Sequence, residues 1–229
     1  LLPFAIAIES ALKTMDGIYS LPRKFKIGLS CGRDCGQPYL NDIGLTAVSR
    51  EGLPGFAVTI AGSLGARPAT GIHLFDWIEA RDVVALVVAS IRMFMKYGDR
   101  ENRSKARLRH VRERLGNEKF IEIINEAFEI AKSEVGRIEI ETARPKRNFP
   151  AEVILKFPNG DVTPDAAFAL ASLQKRDDIE VRVDVYHSIK IFATSETLLN
   201  EAVGSYEAIS DKNNHKAWVV ACPGRRWCK

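Results

Sequence analysis

Residues 21–44 read LPRKFKIGLSCGRDCGQPYLNDIG. Within them FKIGLS, 25–30, reads as a short strand that runs straight into a turn, CGRDCG, holding Cys31 and Cys35. Turns let thiols from nearby positions converge on one compact point. Glycines allow the tight backbone and expose amide N–H groups to sulfur. Arg33, inside the turn, can offset thiolate charge. Lys24 and Lys26 stand at alternate positions just before it, so on an extended chain they face one side. By spacing alone they are two solvated charges on an edge strand.

Reading outward, residues 3–18 suit a buried helix broken by Gly17, and 56–61 a strand followed by a glycine-rich loop. Residues 73–97 carry an amphipathic or largely buried helical pattern through Val83, Val84, Val87, Val88, Ile91 and Phe94. YGDRENRSKARLRHVRERLG, 97–116, opens on a breaker and turns helical, dense in arginine and lysine. A further helix covers 117–132, with Phe120, Ile124, Ala127 and Phe128 as its stripe. ETARPKRNFPAE, 141–152, has two prolines and no period, the mark of a boundary or crossover. Thr163 and Pro164 start a helix over 163–174. IEVRVDVY, 179–186, alternates as a half-buried strand does, and SIKIFA, 188–193, can pair with it. A capped helix follows over 194–207, and WVVAC, 218–222, is a strand that delivers Cys222 to a turn.

The four cysteines form two local pairs: Cys31 with Cys35, spaced C-x3-C, and Cys222 with Cys228, spaced C-x5-C. Each pair follows an apolar strand. That context suits an iron–sulfur cluster, with Arg225 and Arg226 as further charge compensation. Four cysteines also satisfy a structural zinc site, although neither pair is C-x2-C. A disulfide framework belongs more often to small secreted chains than to one of 229 residues. His73, His110, His187 and His215 have no ligand spacing. Lysine and arginine exceed aspartate and glutamate by 33 to 29, a net charge of +4 that helps attract an anion without pointing to nucleic acid. No apolar run is long enough to span a membrane, and Glu9 interrupts the opening LLPFAIAI. Gly62 and Gly65 lie in a loop without a nucleotide-binding fingerprint.

Taken together, LPRKFKIGLS at 21–30, CGRDCGQPYLNDIG at 31–44, GFAVTIAGSLGARPATG at 55–71, YGDRENRSKARLR at 97–109 and ACPGRRWC at 221–228 resemble pieces of the sulfite and nitrite reductases that carry sirohaem and a 4Fe-4S cluster. The resemblance covers nearly the whole chain. It implies an α+β fold: a mixed α/β sirohaem-binding domain over 1–140, a ferredoxin-like half-domain over 150–215, and the start of a second cluster-binding segment over 216–229.

It further implies that Cys31, Cys35, Cys222 and Cys228 are cluster ligands, with the Cys35 sulfur bridging to the sirohaem iron. Lys24 and Lys26 would face the bound oxyanion. Arg182 resembles a family arginine that binds cofactor carboxylates or substrate, though Asp184, Tyr186 and His187 depart from the family's strand, so a surface ladder role stays open. The implied activity is multi-electron reduction of sulfite or nitrite, in the cytoplasm, fed by a protein electron donor or reductase subunit. The alternatives are a non-catalytic or partial sirohaem-protein module at a subunit interface, and a zinc-stapled structural protein. One departure is order. In the family C-x5-C precedes C-x3-C within a repeat, and here it follows far downstream. The expectation is that additional polypeptide completes the site, after Lys229 or on an associated chain.

Overall fold

The computed structural model describes residues 1–32, 35–65, 67–139, 148–157, 160–184 and 188–204. The chain divides into two units, Leu1–Ala143 and Arg144–Lys229. Both mix helices with sheets, so the fold class is α+β.

The first unit holds a four-stranded sheet in the order β1 (Ile27–Ser30), β2 (Ile43–Arg50), β3 (Leu53–Ile60), β4 (Ile72–Glu79). β1 runs parallel to β2, and the other pairs are antiparallel. The α-helices described in the same unit are α1 (Leu2–Lys13), α2 (Val83–Tyr97), α3 (Leu108–Leu115) and α4 (Asn117–Val135). α2 is the centre of the core. Its residues from Val83 to Ile91 are all buried, and Phe94 is fully so. α4 lays Phe120, Ile124, Phe128 and Ala131 into that core at helical spacing. α1 is amphipathic rather than buried: Phe4 and Ile8 face inward, Phe4 meeting Phe56 edge-on at 5.1 Å, while Leu2 and Ile6 are exposed.

The span 73–97 is not one helix. Its first part is β4, and α2 starts only at Val83. β2 and the length of β3 before Phe56 are likewise additions to the sequence reading.

The second unit is β5 (Ala151–Lys156), α5 (Pro164–Leu173), β6 (Ile179–Asp184), β7 (Ser188–Ala193) and α6 (Glu196–Val203). Its antiparallel sheet has the order β5, β7, β6. The caps are those that the sequence implies. The Thr163 hydroxyl accepts from the Ala166 N–H (3.3 Å), and the Ser195 hydroxyl from the Leu198 N–H (3.2 Å). Leu155, Ile179, Ile191 and Ala193 form this unit's own core with Leu170 and Leu199. Among the described residues no helix is long and apolar enough to cross a membrane. The strand expected at 218–222 lies outside them.

Candidate active site

The site is built where β1 ends. Ser30 is buried, and its hydroxyl sits between the carbonyls of Gly32 and Cys35 while accepting from the Gly32 N–H (3.2 Å). The Cys35 N–H donates to the Gly32 carbonyl (3.3 Å). A serine at the end of the strand thus gathers the turn's backbone beneath it, while Cys31 and Cys35 stay exposed. Arg33 lies outside the described residues, as do Cys222, Cys228, Arg225 and Arg226, along with His187 and His215.

Behind the turn, a single 3-10 turn over Pro38–Leu40 leads into β2. It lies flat on the sheet because Gly44 has no side chain: a Cβ there would stand 2.2 Å from the Pro38 carbonyl oxygen. The loop after β3 is laced to it through main-chain bonds. Gly62 N–H donates to Asn41 O (2.9 Å), Gly71 N–H to Tyr39 O (2.7 Å), and Ala61 N–H to Asp42 O (2.8 Å). Residues 39–42 are therefore laced to Ala61, Gly62 and Gly71 at the end of the sheet where β1 and β2 begin.

Lys24 and Lys26 precede β1 rather than lying in it. Both are exposed, and Phe25 between them is half-buried with its ring on Phe94 (5.5 Å). The alternation holds the two ammonium groups away from the core. Among the described residues neither has an ion-pair partner. The Lys26 backbone is tied down: its N–H donates to Asp42 Oδ2 (2.7 Å) and its carbonyl accepts from Ile43 N–H (3.1 Å). Asp42 is fully buried, and Arg107 grips it with Nε on Oδ1 (3.2 Å) and Nη2 on Oδ2 (2.7 Å). Burial pushes the Asp42 carboxyl above its ordinary value, against the Arg107 fork and the Lys26 N–H, which pull it down.

Much of the basic stretch 100–114 is committed to the fold. Arg100 donates to Ser20 O (2.6 Å), Arg107 to Asp42, and Arg114 to Tyr97 O, while Arg109 pairs with Glu113 (3.2 Å). Ser30, Asp42 and Arg107 escaped the sequence reading. Nothing in single residue types marks a buried charge pair whose members are separated by half a domain.

Arg182 belongs to the second unit. It is exposed on β6, with Nε on Glu180 Oε1 (2.6 Å) and its guanidinium over the Phe192 ring (4.9 Å). Lys190 is its cross-strand neighbour.

A 4Fe-4S cluster takes four cysteine thiolates. Among the described residues the turn supplies two, and no group of three or more His, Cys, Asp or Glu side chains gathers. The exposed thiol pair on a glycine-bounded turn fits half of such a ligand set.

The sequence model of the nitrite and sulphite reductase 4Fe-4S domain matches residues 2–132, more than half of the chain. The chain belongs to this family. Lys24, Lys26, Cys31, Cys35, Asp42 and Arg107 all fall inside the matched nitrite and sulphite reductase domain. Sulfite reductase (ferredoxin) 2 of Mycolicibacterium paratuberculosis is 25% identical over 222 residues, 91% of this chain and 40% of that protein. Ferredoxin–nitrite reductase of Synechococcus elongatus is 35% identical over 112 residues, 48% of this chain and 22% of that protein. The structure of Mycobacterium tuberculosis NirA protein shares the fold, with a TM-score of 0.67, 23% identity, and coverage of 90% of this chain and 40% of that one. The chain thus spans about 40% of the length of its full-length family relatives.

Proposed function

We propose that this chain is part of a reductase that takes sulfite or nitrite through multi-electron reduction, using sirohaem and a 4Fe-4S cluster. The observation that carries the reading is the pair of ammonium groups just before β1, the strand that runs into the cysteine turn. Lys24 and Lys26 are exposed and without ion-pair partners among the described residues, and the Lys26 backbone is locked to the sheet. Family membership and the names of the relatives support it. Cys31, Cys35, Cys222 and Cys228 are the candidates that would hold the cluster, with Cys35 the candidate nearest the sirohaem, and Arg182 the candidate that would hold a sirohaem carboxylate. When bound, the cluster would relay electrons from the donor and the sirohaem would supply the iron that takes the anion.

The lysines do the rest. Two Nζ charges draw a small oxyanion to the segment before β1 and offset its negative charge as it gains electrons. Each Nζ holds a proton that can pass to an oxygen as an S–O or N–O bond breaks. The reading places the electron source in a protein donor or reductase subunit, and the reaction in the cytoplasm.

The test is metal analysis and a visible spectrum of the full-length protein purified without oxygen. We expect about four irons and four acid-labile sulfides per cluster, with sirohaem absorption. Stoichiometric zinc without sulfide would overturn the reading in favour of a zinc-stapled structural protein. Iron and sulfide without sirohaem or turnover would favour a non-catalytic module.

A further inference from the structure

Lys26 presents a mechanical problem. A lysine that is to meet an anion must leave its Nζ unpaired, so its position cannot be fixed through its own charge. The structure fixes it through the main chain instead. Asp42 Oδ2 accepts from the Lys26 N–H (2.7 Å) and from Arg107 Nη2 (2.7 Å), so one oxygen joins the lysine segment to the start of α3. The backbone of Asp42 accepts from Ala61 N–H (2.8 Å), which brings in the loop after β3. Asp42 is thereby bonded to three separate segments while being fully buried, with Arg107 only 9% exposed.

We infer that Asp42, held by Arg107, is a positioning residue for the anion site, setting the backbone from which Lys26 projects. This rests on the reading that Lys26 faces the oxyanion. Charge-assisted bonds are short and directional, and a carboxylate can accept from both donors at once. Asparagine in its place would offer one oxygen and one amide, and that amide would face a guanidinium with no acceptor to give it. The Lys26 N–H or the Arg107 fork would then lose its partner. A lysine at 107 would keep the charge and lose the fork.

The experiment is a double-mutant cycle on the full-length, cofactor-loaded enzyme: Asp42→Asn, Lys26→Met and the double variant, assayed with sulfite and with nitrite. Optical spectra confirm equal cofactor content. Asp42→Asn should raise the oxyanion KM by about 10-fold with a smaller change in kcat. In the Lys26→Met background the same substitution should change KM by less than about twofold, because the group it positions is gone. Equal effects in both backgrounds would show a merely structural role and overturn the inference, as would an unchanged KM in Asp42→Asn. If Asp42→Asn does not accumulate, Arg107→Lys replaces it in the same cycle under the same criteria. Lys26→Met with unaltered KM and kcat would overturn the underlying reading first, and this inference with it.

Discussion

The Phe25 ring packs on Phe94 of α2 at 5.5 Å between centroids, and this contact orients the two charged residues on either side of it. In an extended segment alternate side chains point to opposite sides, so burying Phe25 turns Lys24 and Lys26 outward. Removing the ring should therefore cost stability and loosen the lysines together. Phe25→Ala is expected to lower stability by about 2 kcal/mol, less than a fully buried phenylalanine because the site is half-exposed. The oxyanion KM should rise in parallel, while Phe25→Leu does much less of either. Denaturation midpoints and steady-state kinetics on the same preparations check both.

Two glycines of one loop give opposite expectations. A Cβ on Gly62 would lie 2.2 Å from the Tyr39 carbonyl oxygen, a backbone atom that cannot swing away. Gly62→Ala must push the loop off the 38–41 segment and strain the bond from Gly62 N–H to Asn41 O, at about 1–3 kcal/mol. A Cβ on Gly65 meets nothing within 4 Å, so Gly65→Ala should be neutral or slightly favourable. Equal thermal midpoints for the two variants would contradict this packing.

Asp99 ties down the segment after α2: its Oδ1 accepts from the N–H groups of Glu101 (2.9 Å) and Asn102 (2.8 Å). The Asn102 and Glu101 N–H groups hold its carboxyl below the ordinary 3.8. A carboxyl whose folded pKa is depressed adds stability that is fully present above the unfolded value and lost as pH falls through the folded one. The midpoint difference between the wild type and Asp99→Ala should hold steady at neutral pH. It should then shrink as the pH drops through the ordinary aspartate range and below. A difference that does not vary with pH would show that the carboxylate charge is irrelevant there.

The sequence discloses elements whose two faces differ. Phe120, Ile124 and Phe128 reveal α4 by their spacing, Thr163 and Pro164 announce α5, and the alternation through 179–184 announces β6. β2 hid because Ile43, Gly44 and Leu45 are all buried, which erases the period of two. β4 hid because its register against β3 shifts around Val58 and because it runs on into the apolar α2. The same holds at the site. Lysines and cysteines are visible as residue types in a motif. Asp42 and Arg107 become meaningful only when folding brings them together across 65 positions.

Lys24 and Lys26 remain the most direct test of the chemistry. Replacing either with methionine removes the charge while keeping most of the stem, so packing changes little. Each single variant should lose on the order of 10-fold in kcat/KM for sulfite or nitrite, roughly 1.4 kcal/mol of transition-state stabilisation. Salt provides a second, independent readout. Both side chains are exposed, so their pull on an incoming anion is screened as ionic strength rises. The wild-type kcat/KM should fall with added salt, and that of the Lys24→Met/Lys26→Met double variant should fall much less. Circular dichroism and the denaturation midpoint should stay near wild type, since neither ammonium group takes part in an ion pair among the described residues. A fully cofactor-loaded double variant with unchanged turnover and unchanged salt dependence would leave the two lysines as ordinary solvated charges. The anion would then have to be met elsewhere.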